Sequence, residues 1–326
     1  MRTLLILASL VISQAALAQP AVMKMASATI NDVQHEWLKR FDAAMKPQAA
    51  KLKIEIYPAS QLGQIPRMVE GVAVGTIESF VTPTTFLVGV EARYQIFDAI
   101  GVFQSPAHLN RVLLDESFRK RALAIGEDKG LKGIGIFFNS PIIVLSRRPI
   151  QSLADFNGKK IRVFGSPLQI EPMKSLGASP VPMAFGEVIA ALQNGTVDGM
   201  LAGMPVLTPL KFYDVAKAVT EIHPSIVTSI QVVNRKWFDS LSSDVQGAML
   251  EAGARTDQEA FSFAAALIER ANKDWMANGG QLLKLPAPEQ AKMMADLKAL
   301  GTQLLSTNPQ IKAEYEELLR VADRTR

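Results

Sequence analysis

The chain has 326 residues, of which 48% are hydrophobic and 20% charged, a composition typical of a folded globular protein. The formal net charge is only +4, and no long run of Lys or Arg occurs, which argues against a nucleic-acid or membrane-surface patch. The absence of cysteine excludes disulfides, thiolate metal sites and cysteine nucleophiles. The densest basic segment, residues 119–121, falls in a predicted helix and is expected to be a solvated helix face. The length predicts two lobes, since one domain averages about 150 residues.

The N-terminus has the features of a secretory signal peptide, predicted over residues 1–18. Arg2 supplies the positive start, and an apolar run over residues 4–16 follows. Ala16-Leu17-Ala18 matches a small-residue cleavage site, so Gln19 is the predicted mature start. The run is shorter than the ~20 residues of a membrane span, and no later stretch reaches ~18 uncharged apolar residues. We expect an exported, periplasmic chain that does not itself insert into the membrane; a buried N-terminal helix is the alternative.

Patterning in the first half of the chain predicts strands that alternate with helices. Residues 51–57 alternate between polar and apolar and predict a strand that Pro58 ends, whereas Gly75 is expected to end a helix. Ser105 and Pro106 are typical of a helix N-cap and first turn. The predicted strands are 22–29, 51–57, 79–81, 131–138 and 142–146, and the predicted helices are 34–46, 65–74 and 105–125.

The second half continues the alternation. Ser152 and Asp155 predict a capping box for a short helix, and residues 160–163 and 197–200 predict strands. Helices are predicted over 168–176 and 185–193. This order is typical of an α/β protein with mostly parallel sheets flanked by helices, which bind ligands at the carboxyl ends of their strands.

A long apolar periodicity predicts one helix over residues 244–277, with a capping box formed by Ser243 and Gln246. At about 1.5 Å per residue this helix is ~50 Å long, more than the diameter of one lobe. We therefore expect it to lie along both lobes. The alternative is two helices broken near Gly253.

Motifs that carry catalysis are missing from the sequence. The three histidines, His35, His108 and His223, are far apart, and no H-E-x-x-H or G-x-S-x-G pattern occurs. The glycines at 130, 133 and 135 fail the dinucleotide-binding pattern and are better explained as the start of a strand. The sequence therefore predicts no catalytic residue, no metal and no cofactor.

Several segments, in order along the chain, resemble the solute-binding proteins of TRAP transporters, the tripartite ATP-independent periplasmic systems that take up organic acids. These segments are YPASQLG (57–63), VGTIE (74–78), GKKIRV (158–163), LGASPVPMAFGEV (176–188), ALQNGTVDG (191–199) and KFYDV (211–215). They extend over nearly the whole predicted mature chain.

The resemblance implies a two-lobed periplasmic-binding-protein fold with mixed sheets, an interlobe cleft and a long helix that spans both lobes. It places residues 19–139 plus 227–267 in lobe I and residues 140–226 plus 268–326 in lobe II. It also implies closure around a small carboxylate and delivery to the permease subunits in the membrane. No nucleic-acid partner is expected.

The resemblance also implies a set of ligand-binding residues. Arg162 matches the family arginine that pairs with the ligand carboxylate, a role that suits a planar guanidinium with two parallel donors. Phe185 matches a pocket aromatic. The other cleft positions implied are Ser27, Gln64, Thr84, Ile142, Ala202 and His223.

The sequence departs from sialic-acid-type members at four polar positions. Ile142 stands in place of a second arginine, Ala202 lies where an asparagine is expected, and Pro83 and Phe86 replace charged residues. Polar groups of a sugar acid or dicarboxylate would be left unpaired there, which is costly when they are buried. We therefore expect a small monocarboxylate with an apolar body.

Two other functions fit the same scaffold. A periplasmic enzyme would need a cleft carboxylate with a raised pKa and a nearby general acid. A protein that presents its ligand to a sensor would be encoded beside a histidine kinase, whereas a transport protein would be encoded beside multi-span membrane proteins.

Overall fold

The computed structural model of the protein describes residues 19–222 and 225–326, so the predicted signal peptide and His223 lie outside the described residues. Within these ranges the chain forms ten strands and ten α-helices joined by short 3-10 turns. The strands are β1 (Ala21–Ser27), β2 (Leu52–Tyr57), β3 (Ser79–Pro83), β4 (Leu131–Ser146), β5 (Lys160–Val163), β6 (Ser179–Pro182), β7 (Gly199–Gly203), β8 (Ala218–Glu221), β9 (Ile226–Asn234) and β10 (Gln281–Lys284).

The helices cover the faces of the sheets. They are α1 (Val33–Met45), α2 (Ile65–Val74), α3 (Pro106–Leu114), α4 (Glu116–Ala124), α5 (Pro167–Ser175), α6 (Val188–Gln193), α7 (Arg235–Asp239), α8 (Ser243–Ala277), α9 (Ala287–Leu305) and α10 (Pro309–Arg324). Among these described helices, none combines the length and apolar character that crossing a membrane requires.

The first sheet has the strand order β2-β1-β3-β9-β4. β1 pairs in parallel with both β2 and β3, as expected for strands that helices connect. Local signals set these boundaries. The Asp32 carboxylate caps α1 by accepting from the His35 amide, and Gly75 ends α2 in the left-handed conformation with φ of 89°.

The second sheet has the order β4-β7-β5-β6, and β8 and β10 attach to it through β4. β5 is parallel to β6 and β7, whereas β4 is antiparallel to β7, β8 and β9. The sheets are therefore mixed, as the resemblance implies. Among the described residues five of the nine strand pairs are parallel, so parallel pairing is less dominant than the alternation of strands and helices predicts. The difference arises because β4 and β9 pair antiparallel across long sequence separations, which strand–helix alternation does not indicate.

β4 joins the two sheets. It is one strand of 16 residues, so the predicted break between residues 138 and 142 is wrong. It pairs with β9 up to Pro141 and with β7 from Ile142 onward. Shifts in pairing register near Gly133 and Phe138 bend the strand, which lets one chain segment serve two sheets of different orientation.

The apolar core is divided into three clusters. One packs around the first sheet and includes Trp37, Phe80 and Phe137, and the other two lie about the second sheet, around Val144 and Leu145. Each sheet therefore has its own buried core, as two lobes require. Helix α10 packs on α3 and α4. Its buried side chains, such as Ile311, belong to the apolar cluster of the first sheet and not to those of the second sheet.

Helix α8 is continuous over 35 residues, so the prediction of one long helix is confirmed and the break near Gly253 does not occur. Val245 and Met249 pack into the first cluster, and Trp275 packs into a cluster of the second sheet. The predicted capping box is wrong, because the N-cap residue is Ser242 and its side chain does not accept from a backbone amide of the first turn. The Gln246 side chain instead donates from Nε2 to the Leu241 carbonyl at 2.9 Å.

Two helix predictions need correction. The helix expected over 105–125 is two helices, α3 and α4, that meet at Asp115. The Asp115 amide donates to the Arg111 carbonyl at the end of α3, while its carboxylate caps α4 by accepting from the Phe118 amide. The helix expected over 185–193 begins as a 3-10 turn, Phe185–Glu187, and becomes α-helical only at Val188.

The segment 119–121 is not simply a solvated helix face. Arg119 is half-buried, and its Nη2 lies 2.8 Å from Oδ2 of the buried Asp257 on α8. The Asp257 carboxylate also accepts from Trp37 Nε1 at 2.9 Å and from the Ile136 amide at 2.9 Å. One carboxylate thus ties α8 to α1, α4 and β4.

Candidate functional site

Arg162 is fully buried on β5, close to its carboxyl end. Its Nε donates to the Met183 carbonyl at 3.0 Å, and Nη1 donates to the Leu201 carbonyl at 3.4 Å. Nη2 is buried but finds no hydrogen-bond partner in the part of the chain that the structure describes. Burial lowers the pKa of the Arg162 guanidinium to about 9, so it still carries its charge at neutral pH.

Three aromatic rings surround the Arg162 guanidinium. Its central carbon lies 4.7 Å from the ring centroid of Phe164 and 5.8 Å from those of Phe86 and Phe185. Phe86 follows β3 of the first sheet, whereas Phe164 follows β5 of the second, and their centroids are 5.2 Å apart. Ring faces stabilise a desolvated cation, so a charge with no carboxylate partner can be held here.

The guanidinium lines a cavity of about 40 Å³ between the two sheets, which has room for about one water molecule. An organic acid would therefore need the two sides to move apart before it enters. Arg162 is the only charged residue among the described residues that line it. The lining residues are Ala28, Thr29, Gln34, Ile65, Pro83, Phe86, Asn139, Ser140, Arg162, Phe164, Phe185, Ala202, Gly203, Val206 and Val227.

One wall of this cavity is polar. Gln34 Nε2 and Asn139 Nδ2 both donate to the buried Ser229 hydroxyl, at 3.3 Å and 3.0 Å. The Ser140 hydroxyl donates to Asn139 Oδ1 at 3.2 Å. These side chains come from α1, β4 and β9, so antiparallel pairing of β4 with β9 brings them together. The wall offers an amide and hydroxyl groups to a ligand.

Thr29 adds a hydroxyl to the polar side and is held in place by Asp32. The Thr29 hydroxyl donates to Asp32 Oδ2 at 2.6 Å and therefore accepts from the Ser27 hydroxyl at 3.3 Å, which leaves one lone pair of Thr29 Oγ1 for a ligand. Burial raises the pKa of the Asp32 carboxyl, while bonds from Thr29 and from the His35 amide oppose that shift. The Asp32 cap of α1 and the Thr29 hydroxyl that lines the cavity therefore belong to one hydrogen-bond network.

Of the ligand-binding residues implied by the sequence, three line the cavity: Arg162, Phe185 and Ala202. Pro83 and Phe86, the apolar replacements, also line it. Phe185 is half-buried and packs on Phe212 with ring centroids 5.9 Å apart.

Four other implied residues do not line this cavity. Ser27 and Thr84 are buried, with their hydroxyls directed to Thr29 Oγ1 at 3.3 Å and to the Thr228 carbonyl at 3.3 Å. Ile142 is buried in the apolar core of the second sheet, and Gln64 is exposed at the start of α2. His223 lies outside the described residues.

The sequence reasoning missed the polar wall of Thr29, Gln34, Asn139 and Ser140. No short motif marks these residues, and they meet only through tertiary pairing. Gly203 is a sequence feature that could have pointed to this wall. A Cβ at this position would overlap the Ser140 hydroxyl, so only glycine leaves room for it.

A match to the bacterial extracellular solute-binding protein family 7, DctP, covers residues 25–307. The chain is 29% identical over 277 residues to the 2,3-diketo-L-gulonate-binding periplasmic protein YiaO of Escherichia coli K12, which covers 84% of this chain and 77% of that protein.

Two solved structures have the same fold. The sugar acid binding protein DctPAm of Advenella mimigardefordensis, in complex with galactonate, superposes with a TM-score of 0.88 at 22% identity and covers 94% of this chain and 99% of that one. A TRAP periplasmic solute-binding protein of Desulfovibrio salexigens with bound orotic acid has a TM-score of 0.85 at 24% identity and covers 93% and 98%. The two-lobed fold implied by the resemblance is thereby confirmed. The chain belongs to the bacterial extracellular solute-binding protein family 7, the periplasmic binding proteins of TRAP-type organic-acid transport, which is a family of transport proteins and not of enzymes.

Proposed function

We propose that the protein captures a small monocarboxylate in the periplasm, pairs its carboxylate with Arg162, and delivers it to the permease of a TRAP transporter. The observation that carries this proposal is the Arg162 guanidinium, which is buried with Nη2 unpartnered. A buried cation without an anionic partner is costly, and a ligand carboxylate would supply that partner.

The number of charges in the cavity limits the ligand. Its described lining has one cation and no carboxylate, which complements a single negative charge. A second carboxylate would be desolvated without a partner. A dicarboxylate such as succinate is therefore expected to bind weakly.

The cavity walls further restrict the expected shape and polarity of the ligand. Phe86, Phe164 and Phe185 offer apolar contact on one side, and the wall of Gln34, Asn139 and Ser140 offers hydrogen bonds on the other. A flat or branched acid with one polar edge fits both sides. Orotic acid, bound by the Desulfovibrio protein, is a planar acid of this kind, whereas the galactonate of the Advenella protein is rich in hydroxyls.

Closure of the two lobes would couple ligand binding to transport. We propose that lobe I comprises residues 19–139 plus 227–267 and lobe II residues 140–226 plus 268–326. Helix α10 belongs to the residues of lobe II but packs on lobe I. The ligand would bridge them and favour the closed form, which the permease would then recognise. A signal peptide over residues 1–18 would export the chain.

Isothermal titration calorimetry tests the ligand class. The panel comprises orotate, benzoate, galactonate, succinate and sialic acid, with the neutral carboxamide of the tightest binder as its matched control. We expect a monocarboxylate with an apolar face to bind at 1:1 stoichiometry and its carboxamide to bind about 100-fold more weakly, since a charge-assisted pair contributes ~3 kcal/mol. Tight binding of succinate or sialic acid, with no binding of the apolar monocarboxylates, would refute the proposed ligand class.

A further inference from the structure

A second, strongly basic cavity lies in the second sheet, at the opposite end of β5 from Arg162. It measures about 390 Å³ and is lined by Ser146, Arg147, Arg148, Ile150, Lys159, Ile161 and Asp198. Lys159 and Arg162 are three residues apart, so along an extended strand the two sites are about 10 Å apart. Nothing in the cleft mechanism uses these groups.

Three short segments build this cavity at the edge of the sheet. β4 ends at Ser146, where the Arg147 amide donates to the Asp198 carbonyl at 3.0 Å. The Asp198 carboxylate accepts from the Lys160 amide at 2.9 Å, which fixes the start of β5 beside the start of β7. The backbone frame is therefore held by hydrogen bonds, and the charged side chains project from it.

The charge in this cavity is unbalanced. Arg147, Arg148 and Lys159 provide three cations against the single carboxylate of Asp198. Within the described ranges, none of the three lies within 4.0 Å of a carboxylate oxygen. The backbone bond to Asp198 also occupies one oxygen of the only anion present. Unlike most Lys and Arg residues of the structure, these cations have no ion-pair partner.

A buried polar group lies at the same place. Ser146 is 2% exposed, and its hydroxyl has no hydrogen-bond partner among the described residues. An unpaired buried hydroxyl is destabilising, so a ligand oxygen that bonds to it would recover that cost. The hydroxyl and the three cations line one cavity, which is the arrangement that a multivalent oxyanion needs.

We propose that this cavity, defined by Ser146, Arg147, Arg148 and Lys159, is a second anion site that binds a phosphate group. Arginine forks suit the tetrahedral oxygens of phosphate, and a dianion would balance the excess of two positive charges. The phosphate group could be free in the periplasm or part of a phospholipid headgroup, since both present anionic tetrahedral phosphate oxygens. The headgroup phosphodiester carries one negative charge and would balance only half of the excess, whereas free phosphate can supply the dianion.

The test is an NMR titration of the ¹⁵N-labelled mature protein with inorganic phosphate, followed at the backbone amides of Arg147, Lys160 and Asp198. The double variant R147Q/R148Q removes two cations from the site. The matched control K120Q/K236Q removes two exposed, unpaired cations of the first sheet's helices α4 and α7 and so changes net charge equally. The variant R162Q removes the cation of the cleft and so distinguishes phosphate binding at this site from phosphate binding in the cleft.

We expect saturable shifts at these amides in the wild type, in R162Q and in K120Q/K236Q, and about tenfold weaker binding in R147Q/R148Q, since each exposed cation contributes a factor of about 2 to 5. Shifts that do not saturate, or equal weakening in both double variants, would overturn the site. Sedimentation with phosphatidylglycerol and phosphatidylcholine vesicles then identifies the source. Pelleting of the wild type, but not of R147Q/R148Q, with phosphatidylglycerol alone assigns the lipid headgroup, and phosphate binding without pelleting assigns the free oxyanion.

Discussion

Arg162 illustrates how one residue can prepare a site for an anion. Two backbone carbonyls and three aromatic rings hold its guanidinium without neutralising it. A protein carboxylate in their place would pair with the cation and compete with any ligand. Dipoles and ring faces instead leave the charge available, which is the condition for tight and selective binding of an acid.

Two substitutions at Arg162 separate charge from geometry. Arg162→Lys keeps a cation but loses the planar fork, so we expect binding of the best carboxylate to weaken about tenfold. Arg162→Gln removes the charge and should weaken it about 100-fold. Lys160→Gln, a charge change on the same strand, should leave affinity within about twofold, because the Lys160 side chain is exposed and water screens its charge. Calorimetric affinities that are equal for Arg162→Gln and Lys160→Gln would place the carboxylate elsewhere.

At the residue scale, sequence could predict only those site residues that lie in local motifs. Arg162, Phe185 and Ala202 lie within or just after the matched segments and line the cavity. Asn139 and Ser140 lie in the bent part of β4, and their neighbour Gln34 is more than a hundred residues away in sequence. Side chains brought together by long-range pairing have no spacing to recognise, so they could not be predicted.

At the element scale, α8 holds its place through close backbone packing. A Cβ on Gly253 would overlap the carbonyl oxygen of Ile134 on β4, so glycine lets the helix lie directly on the strand. Gly247 lies in the same helix but is exposed, and a Cβ there would meet nothing within 4 Å. The two glycines therefore have opposite roles in one helix.

Alanine substitutions at these glycines should have opposite effects on stability. Gly247→Ala should raise the free energy of unfolding by about 0.5–1 kcal/mol through helix propensity alone. Gly253→Ala gains the same propensity but forces helix and strand apart, so we expect a net loss of about 2 kcal/mol. Urea denaturation followed by circular dichroism measures both. A Gly253→Ala protein as stable as Gly247→Ala would show that this contact does not fix the helix.

Sequence patterns located most elements of the first 200 residues because glycine, proline and capping residues mark their ends. The apolar periodicity predicted the long helix correctly, although the capping box expected at its start does not form. The break at Asp115 was missed because the apolar pattern continues through it, although an acidic N-cap was present in the sequence. The course of β4 could not be predicted, since which strand pairs with which depends on the whole fold.

At the scale of the whole molecule, Asp98 lies where the two sheets' helices and turns meet. Its Oδ1 accepts from the Thr85 hydroxyl at 2.7 Å, after β3, and its buried Oδ2 makes no well-formed hydrogen bond within the described residues. Burial raises the pKa of Asp98 to about 6, although the hydroxyls of Thr85 and of Ser166, the cap of α5, oppose that shift. Burial at this junction therefore favours the protonated Asp98 carboxyl over the charged carboxylate.

The sign of the resulting pH dependence follows from the raised pKa. The folded protein holds the Asp98 proton over a range where the unfolded chain, with its ordinary pKa near 3.9, has lost it. This contribution to stability is fully present below about pH 4 and is lost as the pH rises through 6. Asp98→Asn should abolish it, so the difference in unfolding free energy between variant and wild type should change by up to about 3 kcal/mol between pH 4 and 7.5. A difference that is constant with pH would show that Asp98 titrates normally.

Mass spectrometry of the solute released from protein purified directly from the periplasm and then denatured tests the central claim most directly. Native mass spectra of the same sample give the stoichiometry, and Arg162→Gln protein prepared in parallel is the control. We predict one organic acid per chain, with a single carboxylate and an apolar face, present in the wild type and lost from the variant. A neutral or cationic solute, or a dicarboxylate retained equally by both proteins, would contradict the account.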